Sequence, residues 1–286
     1  MNLRQTRKKI RSVTNVKKIT KAMQMISAIK MKKSQAAALE GRPYDEALKK
    51  LIDKVMPRVS PKFSALLTPK DKTAKRNLAI IISSNKGLCG GFNVNLFRFI
   101  SHNLDFHDTD LVIVGKKATY LGRLGGNIVA DFSSLNPVNN ISAIFSFSLD
   151  KFLKENYKEI NLFYNKFVSV LKSEPTKVKI LPVKIEEKVE KKEGAELEPE
   201  EYLIEPHPKH IIDKLLRSYV EESIKNAVLE SEASEHSSRM ISMKNATDNA
   251  TDVIYNLTLL RNKIRQQNIT NELLDMVSAK ESVGEN

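Results

Sequence analysis

The feature that most constrains this chain is a helical pattern that runs from about Lys209 to Val283 without proline or glycine. As one α-helix, these roughly 75 residues would extend about 110 Å, since each residue adds about 1.5 Å. A helix of this length cannot fold back on itself. Its apolar stripe therefore needs a second helix to cover it.

Apolar residues in this helix recur at alternating spacings of three and four, which is typical of a coiled-coil seam. We predict the seam at Met243, Ala246, Ala250, Val253, Leu257, Leu260 and Ile264. A matching stripe near the N terminus comprises Val16, Ile19, Met23 and Ile26. We expect the two helices to pair antiparallel within one chain; an intermolecular homodimer is the alternative.

The N-terminal segment is helical by pattern through about Ser60, since it is rich in good helix formers. Gly41 and Pro43 should kink or interrupt it, because proline lacks a backbone donor and crowds the preceding turn. The helix is expected to resume at Tyr44 and to end near Pro57.

From Asn77 the pattern changes to short apolar runs separated by helical stretches. The predicted strands are NLAIIISS, DLVIVG, NIVADF, EINLFYNKFVSV and TKVKILPV, and the helices between them are FNVNLFRFISHNL, KKATYLGRLG and ISAIFSFSLDKFLKENY. Such alternation is typical of an α/β unit with a largely parallel or mixed sheet.

The predicted fold class is thus α/β, a long antiparallel coiled coil of the N- and C-terminal helices with an inserted Rossmann-like α/β domain. We place the N-terminal coiled-coil helix at 1–60, the α/β domain at 75–185 and the C-terminal coiled-coil helix at 206–286. Between the last two, 186–205 is predicted to be a flexible charged loop, because it has almost nothing to bury.

Positive charge is concentrated at the N terminus. The net charge is +13, and the first 39 residues contain eleven lysines and arginines and no acid. This block implies an acidic partner, which could be nucleic acid, an anionic membrane surface or an acidic protein element; a transit peptide is a further alternative. The first 40 residues contain no Phe, Tyr or Trp to stack on bases, which disfavours single-strand nucleic-acid binding.

No catalytic, cofactor or metal site is predicted. SSNKGLCGGF, residues 83–92, lies at a strand-to-helix turn but matches neither the P-loop nor the dinucleotide pattern. Cys89 has no histidine base that the sequence places beside it. His207 and His210 have helical spacing but lack further metal ligands.

Four N-x-T triplets begin at Asn245, Asn249, Asn256 and Asn268 and are formal acceptors for N-linked sugar. The helical pattern runs through them, whereas acceptor sites usually lie in loops of secreted proteins. The single cysteine and the lack of an N-terminal apolar run also disfavour secretion. We interpret the triplets as the polar flanks of a helix.

Four stretches, taken together in this order, resemble the gamma subunits of F-type ATP synthases. They are KKITKAMQMISAIKMKKSQ, SSNKGLCGGFN, FVSVLKSEPTKVKILPV and SEHSSRMISMKNATDNATDVIYNLTLLRNKIRQQNITNELLD. The C-terminal signature departs from the family at Ser278, where glycine is usual, and the turn has Asn85 and Lys86 where Asp-Arg is common.

The resemblance implies a non-catalytic rotor shaft that couples proton flow to ATP synthesis at the beta subunits. Implied partners are a ring of three alpha and three beta subunits, the epsilon subunit and the membrane c-ring, without nucleic acid, small-molecule substrate or cofactor. The implied location is the cytoplasmic face of the bacterial plasma membrane, as a peripheral protein. The implied contacts with beta are Met23, Lys86, Gly87, Leu88, Cys89, Gly90, Arg265, Gln266 and Thr270.

Overall fold

The computed structural model describes residues 2–55, 64–67, 76–133, 137–154, 157–183 and 208–284. The α-helices are α1 (Leu3–Val55), α2 (Phe92–Asn103), α3 (Ile141–Lys154) and α4 (Pro208–Gly284). The strands are β1 (Asn77–Ile82), β2 (Thr109–Val114), β3 (Asn127–Asp131), β4 (Ile160–Phe167) and β5 (Ser173–Leu181). Short 3-10 helices span Lys116–Leu124 and Pro137–Asn140.

The chain forms two compact units. One, here called the helical unit, contains Met1–Ile29 and Arg239–Asn286. The other, the sheet unit, contains Lys30–Ser238. Each terminal helix contributes to both units, because α1 and α4 are continuous over their whole lengths. The proposed boundaries at 60, 75, 185 and 206 remain predictions, and the charged segment 186–205 and His207 lie outside the described residues.

In the sheet unit, α1 and α4 run antiparallel. Ser34 Oγ donates a hydrogen bond to Glu232 Oε2 at 3.3 Å. Further along α1, a Cβ added at Gly41 would lie 3.4 Å from Glu222 Oε1. Because the contact on α4 moves toward its N terminus as that on α1 moves toward its C terminus, the predicted antiparallel pairing is confirmed.

The expected interruption at Gly41 and Pro43 is wrong. α1 is one helix from Leu3 to Val55 with Pro43 inside it. A proline inside a helix removes one backbone hydrogen bond. The residues on either side of it can still keep their helical positions when their side chains are packed. Downstream, Leu48, Ile52 and Val55 are buried at 6, 2 and 4% exposure, so tertiary packing holds the helix beyond the proline.

In the helical unit, the buried stripe differs from the predicted seam. Val16, Ile19 and Ile26 are 49, 60 and 55% exposed. In this unit Thr6, Thr20 and Ser27 of α1 are buried, and the partly buried positions are Leu3, Ile10, Val13, Thr14, Lys17, Met23, Gln24 and Ala28. Met23 of the predicted stripe is thus partly shielded, and the buried Thr20 and Ser27 lie one position beyond the exposed Ile19 and Ile26.

Among the α4 positions predicted for the seam, those seven residues apart from Met243 are the more shielded ones. Met243 and Ala250 are buried, and Leu257 and Ile264 are partly buried. Val253 and Leu260 are exposed, and Ala246 is only partly buried. The intervening shielded positions are Thr247, Ile254 and Arg261.

A seam of small hydroxyl residues is stable because the helix itself satisfies them. Thr20 Oγ1 lies 3.1 Å from Lys17 O, and Thr247 Oγ1 lies 2.8 Å from Met243 O. The two hydroxyls are 2.8 Å apart across the seam, so one donates to the other and the accepting hydroxyl donates to its own backbone carbonyl. Their burial therefore leaves no orphaned polar group, and the larger apolar side chains are left for the outer face.

The five strands form one sheet in the order β3-β2-β1-β4-β5. The pairings β3–β2, β2–β1 and β1–β4 are parallel, whereas β4–β5 is antiparallel. The predicted mixed, largely parallel sheet is confirmed. Both faces carry buried clusters, which explains why β1 and β2 read as continuous apolar runs.

Candidate partner-contact surfaces

The loop between β1 and α2, residues 83–91, is held by its own polar side chains. Ser84 Oγ donates to Lys86 O at 2.8 Å, and Asn93 Nδ2 donates to Ser84 Oγ at 2.8 Å. Asn93 Nδ2 also lies 3.3 Å from Cys89 Sγ. One asparagine on α2 thus links both ends of the loop and fixes its shape.

The side chains of this loop divide into an inner and an outer set. Cys89 is 2% exposed and faces the interior. Lys86 and Gly90 are exposed, and Gly87 is partly exposed. Leu88 is 64% exposed and has a φ of 62°, in the left-handed region that an L-residue rarely occupies. As a predicted contact residue, Cys89 can act only through the shape that it gives the loop.

A second segment, after β2, is bonded to the first. Ser83 Oγ donates to Gly115 O at 2.9 Å and accepts from Ala118 N at 2.9 Å. Gly115 has a φ of 108°, and a Cβ there would lie 2.1 Å from Ser83 O. Only glycine permits this approach, so the two segments form one surface at the carboxyl edge of the parallel strands.

Sequence reasoning missed Lys116 and Lys117, which are exposed on this second segment. Their position directly after a predicted parallel strand could have indicated that they belong to this surface. The loops at the carboxyl ends of such strands meet at one edge of the sheet. Recognising it required the strand order, which places β2 next to β1.

Another candidate contact surface lies on α1 of the helical unit. Met25 and Ile29 are 58 and 69% exposed and add to the exposed Val16, Ile19 and Ile26. Met23, predicted as a contact, is partly buried. Large apolar side chains over this length of one helix exceed the scattered apolar exposure that is normal for a monomer surface.

The predicted contact residues of α4 are also exposed. Arg265, Gln266 and Thr270 lie on the outer part of the helical unit. Thr270 Oγ1 donates to the backbone carbonyl oxygen of Gln266 at 3.0 Å. Asn245, Asn249, Asn256 and Asn268 are exposed positions of the same continuous helix, as predicted.

Burial shifts the pKa values of Glu230 and Tyr164, where α4 packs on β4. Burial raises the pKa of Glu230, and the charges of Lys166 and Arg42 and a hydrogen bond with Tyr164 oppose that rise. Glu230 Oε2 is buried without a hydrogen-bond partner among the described residues. Burial and the nearby Glu230 raise the pKa of Tyr164. Packing of α4 on β4 therefore accounts for both shifts.

The described residues contain no group of three His, Cys, Asp or Glu side chains that could hold a metal ion. In the same part of the chain, no helix has the length and apolar character that crossing a membrane demands.

Comparisons with known proteins point to one family. The sequence model described as ATP synthase matches residues 2–283. The chain is 36% identical over 282 residues to the ATP synthase gamma chain of Pelotomaculum thermopropionicum, covering 96% of this chain and 97% of that protein. It is 37% identical over 284 residues to the ATP synthase gamma chain of Verminephrobacter eiseniae, covering 96% of each.

Solved structures share the fold. A chain of the Euglena gracilis mitochondrial ATP synthase, in a structure of OSCP, F1 and c-ring, aligns with a TM-score of 0.69 at 17% identity, covering 98% of this chain and 94% of that one. A chain from the central stalk and c-ring of the Tetrahymena thermophila mitochondrial ATP synthase aligns with a TM-score of 0.57 at 23% identity, covering 80 and 99%.

Proposed function

The chain belongs to the ATP synthase gamma chain family, and from that membership we propose that it is the central rotor shaft of an F-type ATP synthase. It couples proton flow through the membrane sector to ATP synthesis at the beta subunits and has no active site of its own. Its partners are a ring of three alpha and three beta subunits, the epsilon subunit and the c-ring. It acts as a peripheral membrane protein on the cytoplasmic face of the bacterial plasma membrane.

The single observation that carries this proposal is that α1 of the helical unit buries small polar side chains and exposes large apolar ones. The fully buried side chains of α1 in this unit are Thr6, Thr20 and Ser27, whereas Val16, Ile19 and Ile26 face outward. Exposing large apolar side chains is unfavourable in water. A surrounding protein surface, such as the inside of an alpha–beta ring, compensates for this arrangement.

Rotation supplies the coupling. A shaft inside a ring presents a different side to each beta subunit at any moment, so it biases the conformational equilibrium of each catalytic site differently. On this proposal Met23, Arg265, Gln266 and Thr270 contact beta from the coiled coil. Lys86, Gly87, Leu88 and Gly90 contact it from the loop after β1, which Cys89 supports from inside.

Co-purification tests the proposal against a nucleic-acid role. A tagged full chain should retain alpha and beta subunits in about 0.5 M salt, where phosphate contacts are strongly weakened. Retention of nucleic acid that disappears with rising salt, without alpha and beta, would instead identify a basic nucleic-acid binder. ATP turnover by the isolated chain would contradict the absence of an active site.

A variant tests the outward apolar stripe itself. Changing both Ile19 and Ile26 to Asn should leave the folding of the free chain nearly unchanged, because both side chains are exposed. In the assembled complex it should lower ATP synthesis relative to proton flow. Leu124→Asn is the matched control, since this side chain is 45% exposed at the end of the 3-10 helix in the sheet unit. Equal coupling in the double variant and the control would refute the role of the stripe.

A further inference from the structure

The carboxyl of Glu230 lies where one face of α4 changes from apolar to polar side chains. Before it, Val220, Ile224 and Ala227 are at most 3% exposed and belong to the apolar cluster that covers one face of the sheet. Their spacings of four and three keep them on one face of the helix. At the next position of this face, Glu230 Oε2 is buried without a hydrogen-bond partner among the described residues.

Hydroxyl side chains continue this face of α4 and bond it to the hairpin of β4 and β5. Ser234 and Ser237 follow Glu230 at spacings of four and three. Ser234 Oγ donates to Asn165 O at 3.1 Å, and Ser237 Oγ donates to Val170 O. We name Glu230, Ser234 and Ser237 the polar row. It attaches the end of β4 and the turn after it to α4.

Charged and titratable groups on two other elements face Glu230. Tyr164 on β4 is 9% exposed and shares a hydrogen bond with the carboxyl, and the charges of Lys166 on β4 and Arg42 on α1 act on it. Lys166 also lies opposite Glu174 of β5, so a second carboxylate faces the same cation. Burial raises the pKa of Glu230 although the cations and the tyrosine oppose the rise.

We propose that Glu230 is a proton-controlled latch that sets how firmly the polar row holds the hairpin of β4 and β5 on α4. The protonated carboxyl buries no charge, so the row stays closed. Loss of the proton leaves a charged oxygen without a donor in a buried site, and this cost is relieved when the hairpin separates from α4 and admits water. A rise in pH through the folded pKa of Glu230 should therefore loosen the attachment, and a fall in pH should tighten it.

Hydrogen exchange of the full chain between pH 5 and pH 8 measures this attachment, after correction for the pH dependence of intrinsic exchange. Amides of residues 165–172 in the wild type should be at least about fivefold more protected at pH 5 than at pH 8. Glu230→Gln should keep the high protection at every pH, because its amide stays neutral. Glu221→Gln is the matched control on the same helix, since Glu221 accepts a hydrogen bond from Ser142 at 2.5 Å outside the polar row. It should keep the pH dependence of the wild type.

Carbon-13 NMR of labelled glutamate carboxyls shows whether Glu230 itself titrates. Its signal, identified as the one missing from Glu230→Gln, should titrate with a midpoint above 4.5 in the folded chain. Arg42→Met removes a cation that favours the charged carboxylate, so it should move this midpoint to higher pH. Lys154→Met is the control, because Lys154 pairs with Asp150 on α3. A wild-type midpoint at or below 4.5 would refute the latch.

Removal of the hydroxyls tests the polar row. The double variant Ser234→Ala and Ser237→Ala should raise exchange of residues 165–172 about fivefold or more at pH 5, while the amides of 79–82 in β1 stay unchanged. Ser223→Ala is the matched control, since its hydroxyl bonds Tyr219 O within α4. Equal protection of 165–172 at pH 5 and pH 8 in the wild type, or a pH dependence that survives in Glu230→Gln, would overturn the proposal.

Discussion

At the scale of single residues, Asp110 joins the amino-terminal edge of the sheet. It is 3% exposed and pairs with Arg76 Nη2 at 2.7 Å. Tyr157 OH donates to its Oδ2 at 2.8 Å, and Asn127 Nδ2 donates to its Oδ1 at 2.7 Å. These partners precede or begin β1, β3 and β4, so one carboxylate connects the starts of four strands.

Removal of this carboxylate should be strongly destabilising. Asp110→Ala leaves a buried tyrosine hydroxyl and an amide without their acceptor, and we expect a loss of about 3 kcal/mol in the free energy of unfolding. Asp150→Ala is the control, because its pair with Lys154 is exposed and should contribute less than about 0.5 kcal/mol. Urea unfolding of the full chain measures both. Equal losses would show that burial of Asp110 is unimportant.

The carboxyl of Glu232 should make the stability of the fold depend on pH. Burial raises its pKa above 4.5, while the hydrogen bond from Ser34 and the charges of Lys30 and Lys33 oppose the rise. The folded state then binds its proton more tightly than the unfolded state. Its contribution to stability is full below the unfolded pKa and is lost as pH rises through the folded pKa. Glu232→Gln should therefore flatten this part of the pH profile and gain stability over wild type toward neutral pH.

Glu174 should contribute a pH dependence of stability opposite to that of Glu232. A hydrogen bond from Lys172 lowers its pKa, so its contribution is present above 4.5 and lost as pH falls through the folded pKa. Glu174→Gln should lose stability relative to wild type at neutral pH, although only slightly, because the carboxylate is exposed. Unfolding by urea between pH 4 and pH 8 distinguishes the two variants. A flat difference between Glu232→Gln and wild type over this range would contradict the assignment.

At the scale of elements, the strands and the extent of α4 could be predicted, whereas the faces of the coiled coil could not. β1 and β2 read as apolar runs because both faces of the sheet are covered. The predicted seam differs from the observed one because a prediction from periodicity selects the most apolar stripe of each helix. In α1 that stripe contains Ile19 and Ile26 and faces outward, which the sequence of this chain alone cannot reveal when a second protein covers it.

For the predicted contact residues, too, one part could be recognised in the sequence and another part could not. The loop containing Leu88 was recognisable from its glycines and from the family motif. Lys116 and Lys117 could not be joined to it, because their proximity depends on the order of β1 and β2 in the sheet. Local pattern thus predicts segments, and long-range pairing decides which segments share a surface.

The hydroxyl pair in the seam makes a prediction for the two helices. Thr20→Val or Thr247→Val alone should cost about 1 kcal/mol, because each leaves the other buried hydroxyl with one bond fewer. The double variant should be near neutral, since two apolar groups of the same shape replace the pair. The coupling energy from the double-mutant cycle is then about 1–2 kcal/mol. Strictly additive losses would show that the 2.8 Å contact between the two hydroxyls contributes nothing.

At the scale of the whole molecule, the two units bury very different side chains. In the sheet unit, Leu78, Ile80 and Phe163 are at most 1% exposed within extensive apolar clusters. The helical unit is joined by a narrow seam that includes Gln24 and Arg261. Local opening requires less free energy where fewer apolar contacts are lost. The helical unit of the free chain should therefore open more readily than the sheet.

Hydrogen exchange on the full chain tests this difference. In the free chain, amides of residues 10–24 and 247–261 should exchange at least about tenfold faster than those of 79–82 in β1. On the proposed function, alpha and beta subunits cover the outward apolar stripe, so adding them should slow exchange in both helical segments by about tenfold or more, because ligand binding stabilises the closed state. The β1 amides are the internal control and should not change. Equal protection of both units in the free chain would refute the idea that the helical unit depends on its partners, and slowing confined to the sheet would place the interface elsewhere.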